Sequence, residues 1–270
     1  MKERIRRWLG KNVEKVEIAK IVNAPRFLEN KIALITGGSS GIGLEIAKYF
    51  TDVGCKVIVV GSNQSKLKKA CIDLPMAEFV VYNLNDTASV AVLLEEALKK
   101  FPEHRIDILV NCAGVTDHLS FFTTTQSDFQ RIMRINVEAT FFLSQAVGNY
   151  MVKNGIKGHI LNISSSSGNK PAMTPYKISK WAVRGMTLGL AEELTPYGIT
   201  VNAIAPGKTA TPMMDFIEGD SNLKCTGQLS GRYILPREIA YIAAVLVSDF
   251  GNMIIGDTVY VSGGNGTVMS

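Results

Sequence analysis

The feature that most constrains this chain is an alternation. Short apolar runs at 31–36, 56–60, 78–82, 106–111, 159–163, 200–204 and 258–261 read as strands. Between them, apolar residues recur at helical period over 41–53, from about 65, and over 86–101, 127–154, 176–194 and 236–248. Strands that are apolar without a break are those buried on both faces. That requires parallel pairing, with helices above and below. The expectation is an α/β chain built on a single doubly wound parallel sheet. No linker or repeat interrupts the alternation, so one domain is expected over 29–270. The segment 207–235 has no clear period. Within a compact domain such a stretch is usually a lid or a binding loop.

Composition narrows the class. Hydrophobic residues make up 46% and charged residues 20%, which suits a packed core rather than disorder. The net charge of +5 is unevenly placed: the first twenty residues carry seven basic and three acidic side chains, +4 of that total. The remainder is close to neutral, so no nucleic-acid partner is expected. Residues 1–28 read as a basic N-terminal extension without the uninterrupted apolar core of a secretory signal. Read as a helix, Ile5, Trp8, Leu9, Val13 and Val16 share a face. Packing against the domain or a neighbouring subunit is favoured over rest on a membrane surface, because the segment is short and carries acids. No later stretch is long and apolar enough to span a bilayer. Cys55, Cys71, Cys112 and Cys225 lack C-x-x-C spacing. They read as small hydrophobes in a reducing, cytoplasmic setting. The three histidines share no ligand spacing, so no metal is expected.

Two motifs carry chemistry. The first strand runs into Thr36-Gly37-Gly38-Ser39-Ser40-Gly41-Ile42-Gly43. Glycines at a strand-to-helix turn let backbone approach a pyrophosphate, which the open N–H groups of the helix then receive. Such glycines also mark plain tight turns. Their place between the first strand and the first helix favours the nucleotide. The second motif is Tyr176-x-x-x-Lys180 at the start of a helix. At i, i+4 the ammonium shares a face with the phenol and favours its phenolate, making an acid/base of a group whose free pKa is about 10. The same spacing occurs on ordinary helix surfaces. Here the pair follows the strand end Asn162-Ile163-Ser164-Ser165-Ser166-Ser167-Gly168, within a dinucleotide-binding pattern.

From about Lys31 to Gly264 the chain resembles the short-chain dehydrogenase/reductase family, in its 3-oxoacyl-carrier-protein-reductase-like branch. The resemblance rests on G-x-x-x-G-x-G at Gly37, on Asn111-Cys112-Ala113-Gly114, on Asn136, on Tyr176-x-x-x-Lys180, and on Asn202 to Thr211 with its Pro206-Gly207. It implies a Rossmann-type sheet and an NAD(P)(H)-dependent oxidoreductase that moves a hydride between nicotinamide and a carbonyl or secondary alcohol. It implies Tyr176 as acid/base, Lys180 as its partner, Ser165 as the hydroxyl that orients the reacting oxygen, and Asn136 as holder of a water linking Lys180 to solvent. Ser165 lies two residues closer to Tyr176 than the commoner family spacing, so Ser164 and Ser166 stay open. Asn136 has an alternative as a helix-capping or kink amide.

The same resemblance assigns the cofactor's neighbours. Gly37, Ser39, Ser40, Gly41, Ile42 and Gly43 would surround the pyrophosphate. Ser62 and Asn63 would face the adenosine ribose. Asn83 and Leu84 would face the adenine, with Asn83 in place of the usual aspartate. Asn111, Ala113, Gly114, Tyr176 and Lys180 would also bind the cofactor, Lys180 at the nicotinamide ribose, and the loop with Pro206, Gly207, Thr209 and Thr211 would contact the carboxamide, through the backbone near Thr209 and the hydroxyl of Thr211. An acid after the second strand would repel a 2′-phosphate, and Gly61-Ser62-Asn63 has none. NADP(H) is therefore favoured over NAD(H), although the arginine of many NADP-preferring relatives is missing as well. Met213, Met214, Phe216 and Ile217 are candidates for an apolar lid or for subunit contact. Substrate identity lies there and in 115–122. The branch suggests 3-oxoacyl thioester reduction. Tyr197, standing where those reductases often carry a carrier-docking arginine, speaks for the alternative of a sugar, polyol or other small alcohol. A non-catalytic nucleotide-binding module would be expected to lack one of Ser, Tyr or Lys. A homotetramer or homodimer is expected through the two long central helices, on Phe141, Ala146, Met151, Trp181, Met186 and Leu190.

Overall fold

The computed structural model describes residues 26–116, 119–216 and 222–268. The helical reading of residues 5–16, and Ile217 of the expected lid, lie outside the described residues. Seven strands form one sheet: β1 (Ile32–Thr36), β2 (Lys56–Gly61), β3 (Ala77–Val81), β4 (Ile108–Asn111), β5 (His159–Ile163), β6 (Thr200–Pro206) and β7 (Thr258–Val261). Their order is β3-β2-β1-β4-β5-β6-β7, and every pairing is parallel. The helices are α1 (Gly41–Asp52), α2 (Gln64–Ile72), α3 (Val90–Leu98), α4 (Gln126–Met133), α5 (Ala139–Lys153), α6 (Pro175–Leu194) and α7 (Pro236–Leu246). The expected doubly wound α/β sheet is what the chain forms.

Alternate strand residues feed two cores. Ala33 and Ile35 of β1, with Val57 and Val59 of β2, pack on one face under α1 and α7, where Ile46, Phe50, Ile239 and Ala243 are fully buried. Ile32 and Leu34, with Ile58 and Val60, pack on the other under α3, α5 and α6, against Leu93, Leu143, Val147 and Ala191. This period-two division is why the strands read as continuous apolar runs. Leu28, in the expected extension, is itself buried in the first core.

Three local differences from the expected elements have physical causes. α3 begins at Val90 rather than 86, because a turn precedes it: Asp86 N–H donates to the Asn83 carbonyl at 2.9 Å. The hydroxyls of Ser89 and Tyr82 also hold Asp86, on its carboxylate and its carbonyl. The expected helix 127–154 is interrupted by a π-helical turn, Arg134–Glu138, between α4 and α5. Met151, expected to face another subunit, is fully buried in its own core against α3 and the sheet.

The chain order reverses between β1 and β4, which lie side by side. Loops leaving their carboxyl ends diverge there and open a crevice. Thr36 ties the two ends together. Its Oγ1 accepts from the N–H groups of Cys112 and Ala113, each at 3.1 Å.

Candidate active site

The turn after β1 is shaped by what it cannot hold. Gly37 has φ +67°, and a Cβ there would lie 2.9 Å from the Ala113 Cα. A Cβ on Gly43 would lie 2.5 Å from the Gly37 carbonyl. The turn is therefore pressed against the β4 loop and against the start of α1, with no room for a side chain. Ser40 is the N-cap of α1, yet its side chain makes no capping hydrogen bond, and the first turn holds no acid. Open N–H groups at the head of a twelve-residue helix, approached by bare backbone, suit a dinucleotide pyrophosphate. The residues present fit that group.

A cavity of about 210 Å³ runs from this turn to the end of β5. Gly37, Ser40, Gly41, Ile42 and Gly43 line one end. Ala113 lines it against Gly37, Gly114, Ser165, Tyr176 and Lys180 line the part beyond, and Pro206, Gly207, Thr209 and Thr211 complete the wall. Most of the expected site residues thus meet in one space. Cys112, Ile163, Ser164 and Pro212 line it as well. Cys112, Ile163 and Ser164 follow from the ends of β4 and β5, since a crevice at the carboxyl ends of the strands includes their last residues, whereas Pro212 opens the short turn after β6 and carries no such signal. Met213 and Met214 form an apolar lip. Phe216 is held on the ring of Tyr233, 5.5 Å between centroids.

Tyr176 and Lys180 project from the first turns of α6, which is capped by Thr174 and has Pro175 at its start. Lys180 Nζ lies 5.7 Å from the centre of the Tyr176 ring. The ammonium is buried and donates to the Ile163 carbonyl at 2.9 Å. Loss of hydration brings its pKa down to about 8. The same burial pushes Cys112 up to about 12. A protonated thiol beside the site is a spacer rather than a nucleophile.

The three candidate serines separate by geometry. Ser164 Oγ donates to the Lys180 carbonyl at 3.1 Å, committing it to the strand–helix junction. Ser166 is buried and does not line the cavity. Ser165 lines the cavity, and its Oγ accepts from the Ser167 N–H at 3.1 Å. That use of a lone pair leaves its O–H to donate.

Asn136 sits in the π-helical turn and is almost fully buried. Its Oδ1 accepts from Val115 N–H at 2.9 Å, and its Nδ2 donates to the Val115 carbonyl and to Ser179 Oγ, each at 3.0 Å. The side chain therefore pins the β4 loop to α6. The widened turn brings it there, in keeping with the frequent occurrence of such bulges at functional sites. A Cβ on Gly114 would lie 3.4 Å from Asn136 Oδ1 and 3.7 Å from Lys180 Nζ, which shows how close the two groups come.

Other expected cofactor residues lie apart from the cavity wall. Asn111 turns inward, with Nδ2 donating to Ser144 Oγ and Asn162 Oδ1, each at 2.9 Å. Asn63 caps α2, its Oδ1 accepting from Lys66 N–H at 3.0 Å. Ser62 and Asn83 are exposed, and Leu84 is half-buried beside them. Asn83 Oδ1 accepts from Asn85 N–H at 3.1 Å. Ser39 Oγ lies 3.6 Å from where a Gly61 Cβ would stand, at the end of β2.

A family model described as short chain dehydrogenase matches residues 31–222. A 3α-hydroxysteroid dehydrogenase of Mediterraneibacter gnavus is 37% identical over 246 residues, covering 87% of this chain and 97% of that protein. A 3-oxoacyl-(acyl-carrier-protein) reductase of Rickettsia bellii is 36% identical over 241 residues, covering 88% and 97%. Among solved structures, a 3-ketoacyl-(acyl-carrier-protein) reductase from Brucella melitensis complexed with NADH matches with a TM-score of 0.81 and 31% identity, covering 88% of this chain and 99% of that one.

Proposed function

This chain belongs to the short-chain dehydrogenase family, and from that premise we propose that it reduces the ketone of a 3-oxoacyl thioester, with Tyr176 as proton donor. The observation that carries the reading is one cavity lined at one end by the glycine-rich turn and at the other by Ser165, Tyr176 and Lys180. When bound there, the nicotinamide supplies the hydride. Tyr176 delivers a proton to the oxygen that gains charge, Ser165 holds that oxygen by its hydroxyl, and Lys180 supplies positive charge beside the phenol. Asn136 keeps the β4 loop and α6 in register, and its place near Lys180 suits a solvent-linked proton path.

The apolar lip of Met213 and Met214 favours an acyl chain or another apolar skeleton over a sugar or polyol. Among the described residues that line the cavity, Lys180 is the one charged side chain. Tyr197 is exposed where a carrier-docking arginine would stand, which favours a second reading. In it the substrate is a cyclic apolar ketone and the product its secondary alcohol, the kind of hydroxyl that the name of the 3α-hydroxysteroid dehydrogenase relative carries. Turnover of a short 3-oxoacyl thioester, a cyclic apolar ketone and a polyol separates these readings. Faster turnover of the polyol than of either apolar substrate would reject both.

NADP(H) is the proposed preferred cofactor. The end of β2 carries no acid, the Ser39 hydroxyl lies beside it, Ser62 follows it directly, and Lys66 stands in the first turn of α2 just beyond. One charge-assisted hydrogen bond to a 2′-phosphate is worth roughly 1.5 kcal/mol, or about tenfold. Steady-state kinetics should therefore give about tenfold higher kcat/KM with NADPH than with NADH, and the reverse order would show that the pocket lacks phosphate recognition.

A homotetramer, or at least a homodimer, is proposed in a cytoplasmic setting. No described cysteine is paired, and no described helix is long and apolar enough to cross a membrane. Phe141, Met186 and Leu190 line a broad groove between α5 and α6, and Phe141 is 40% exposed. Twofold symmetry would bury this face against its copy. Light scattering at micromolar concentration should give a multiple of the 29.4 kDa chain mass. A monomer mass that persists on concentration would reject the assembly.

A further inference from the structure

We propose that Arg184 is a positioning residue for the reaction: it holds the turn that carries Ser165 to the helix face that carries Tyr176 and Lys180. The proposal rests on the reading of Ser165 and Tyr176 as the groups that hold and protonate the substrate oxygen. Their relative placement is the problem to be solved. Ser165 lies two residues beyond the end of β5, whereas Tyr176 stands in the first turn of α6, and the connection includes the exposed residues 171–173. An exposed connection does not by itself fix the two groups to a fraction of an ångström.

The structure bridges the gap from the far side. Arg184 follows Lys180 by four residues on α6, so the two share a face. Its Nη1 donates to the Gly168 carbonyl at 2.7 Å and to Asn169 Oδ1 at 3.1 Å. Its guanidinium carbon lies 5.2 Å from the Trp181 ring and 5.8 Å from that of Tyr260 on β7. The aromatic walls limit the swing of the fork. Trp181 adds a bond of its own, Nε1 to the Lys170 carbonyl at 2.8 Å.

The turn held in this way is the one that fixes Ser165. Gly168 N–H donates to the Ser165 carbonyl at 2.9 Å, and Ser167 N–H donates to Ser165 Oγ at 3.1 Å. Gly168 lies so close to α6 that a Cβ would stand 2.7 Å from the Lys180 carbonyl. Loss of the Arg184 fork removes the charged tether that keeps this approach. Arg184 does not line the cavity, so it acts through Ser165 and not on the substrate.

The test compares wild type, Arg184→Ala, Arg184→Lys and Tyr176→Phe on one ketone substrate, with melting temperature and cofactor Kd measured for each. Misplacement of a reacting group by about 1 Å costs up to about 100-fold in rate. Arg184→Ala should lose about 10- to 100-fold in kcat while cofactor Kd stays within about twofold. Added guanidinium should restore part of that kcat, and Arg184→Lys should lie between Ala and wild type. If Arg184→Ala keeps wild-type kcat, or loses activity only in step with its folded fraction and without response to guanidinium, the role is structural and the proposal is overturned. An active wild type with an inactive Tyr176→Phe and an unaffected Arg184→Ala would sink this proposal alone. Turnover by Tyr176→Phe at the wild-type rate would sink the underlying reading.

Discussion

Tyr176→Phe is expected to lower kcat by at least ~100-fold while cofactor affinity stays near the wild-type value. Tyr176 lines the cavity together with Ser165 and Lys180, its ring 5.7 Å from the Lys180 Nζ, and its phenol is the acid expected to protonate a reacting oxygen. Phenylalanine retains the ring and its packing on α6, so the fold and the glycine-rich turn are untouched. Cofactor binding should therefore read the same by fluorescence titration, and the loss should fall on the chemical step. Equal kcat in the two proteins would mean that the proton comes from another group.

Lys180→Met should damage both chemistry and cofactor binding, the former by about 10- to 100-fold. Methionine keeps much of the length and apolar character of the stem, so packing against Ile163 and Cys112 is largely preserved. Two things vanish. One is the positive charge beside Tyr176; the other is the donor to the Ile163 carbonyl. A buried carbonyl without a partner costs about 1–3 kcal/mol, so the melting temperature should fall as well. The pH profile separates the effects. Burial sets the Lys180 pKa to about 8, so its charge is present below that pH and is lost as pH rises through it. Carbonyl reduction needs a proton on the Tyr176–Lys180 pair. Its kcat/KM should thus decline above about pH 8 in the wild type, and that limb should shift or disappear in Lys180→Met. An unchanged profile together with unchanged cofactor affinity would remove Lys180 from both roles.

The sheet was legible because its strands are covered on both faces, which leaves runs such as Ala33–Leu34–Ile35 with no polar punctuation. The glycine-rich turn was legible because Gly37 and Gly43 stand where any side chain would strike backbone. What was not legible depends on partners far away in the chain. The π-helical turn at Asn136 is accompanied by bonds to Val115 and Ser179, and helical periodicity carries no sign of them. Asn111 turns inward because Ser144 and Asn162 offer it buried partners, although its motif suggests a group facing the cofactor. Met151 reads equally well as core or as interface, since both lie on apolar faces of the same helix. Only the position of α3 against α5 decides for the core. The serine run is a similar case: four hydroxyls in a row differ in their partners, and although Ser164 and Ser165 both line the cavity, only the Ser164 hydroxyl is committed to the Lys180 carbonyl.

The central claim is that this cavity passes a hydride from nicotinamide to a carbonyl carbon while Tyr176 supplies the proton. The most direct measurement uses NADPH, and in parallel NADH, carrying deuterium on the transferring face of C4. Either is incubated with the protein and a panel of 3-oxoacyl thioesters and apolar ketones, and the products are weighed by mass spectrometry. The account predicts one deuterium on the new carbinol carbon and an exchangeable, solvent-derived hydrogen on its oxygen, with the product missing when Tyr176 is phenylalanine. Solvent hydrogen on the carbinol carbon, or no alcohol from any ketone with either cofactor, would contradict it.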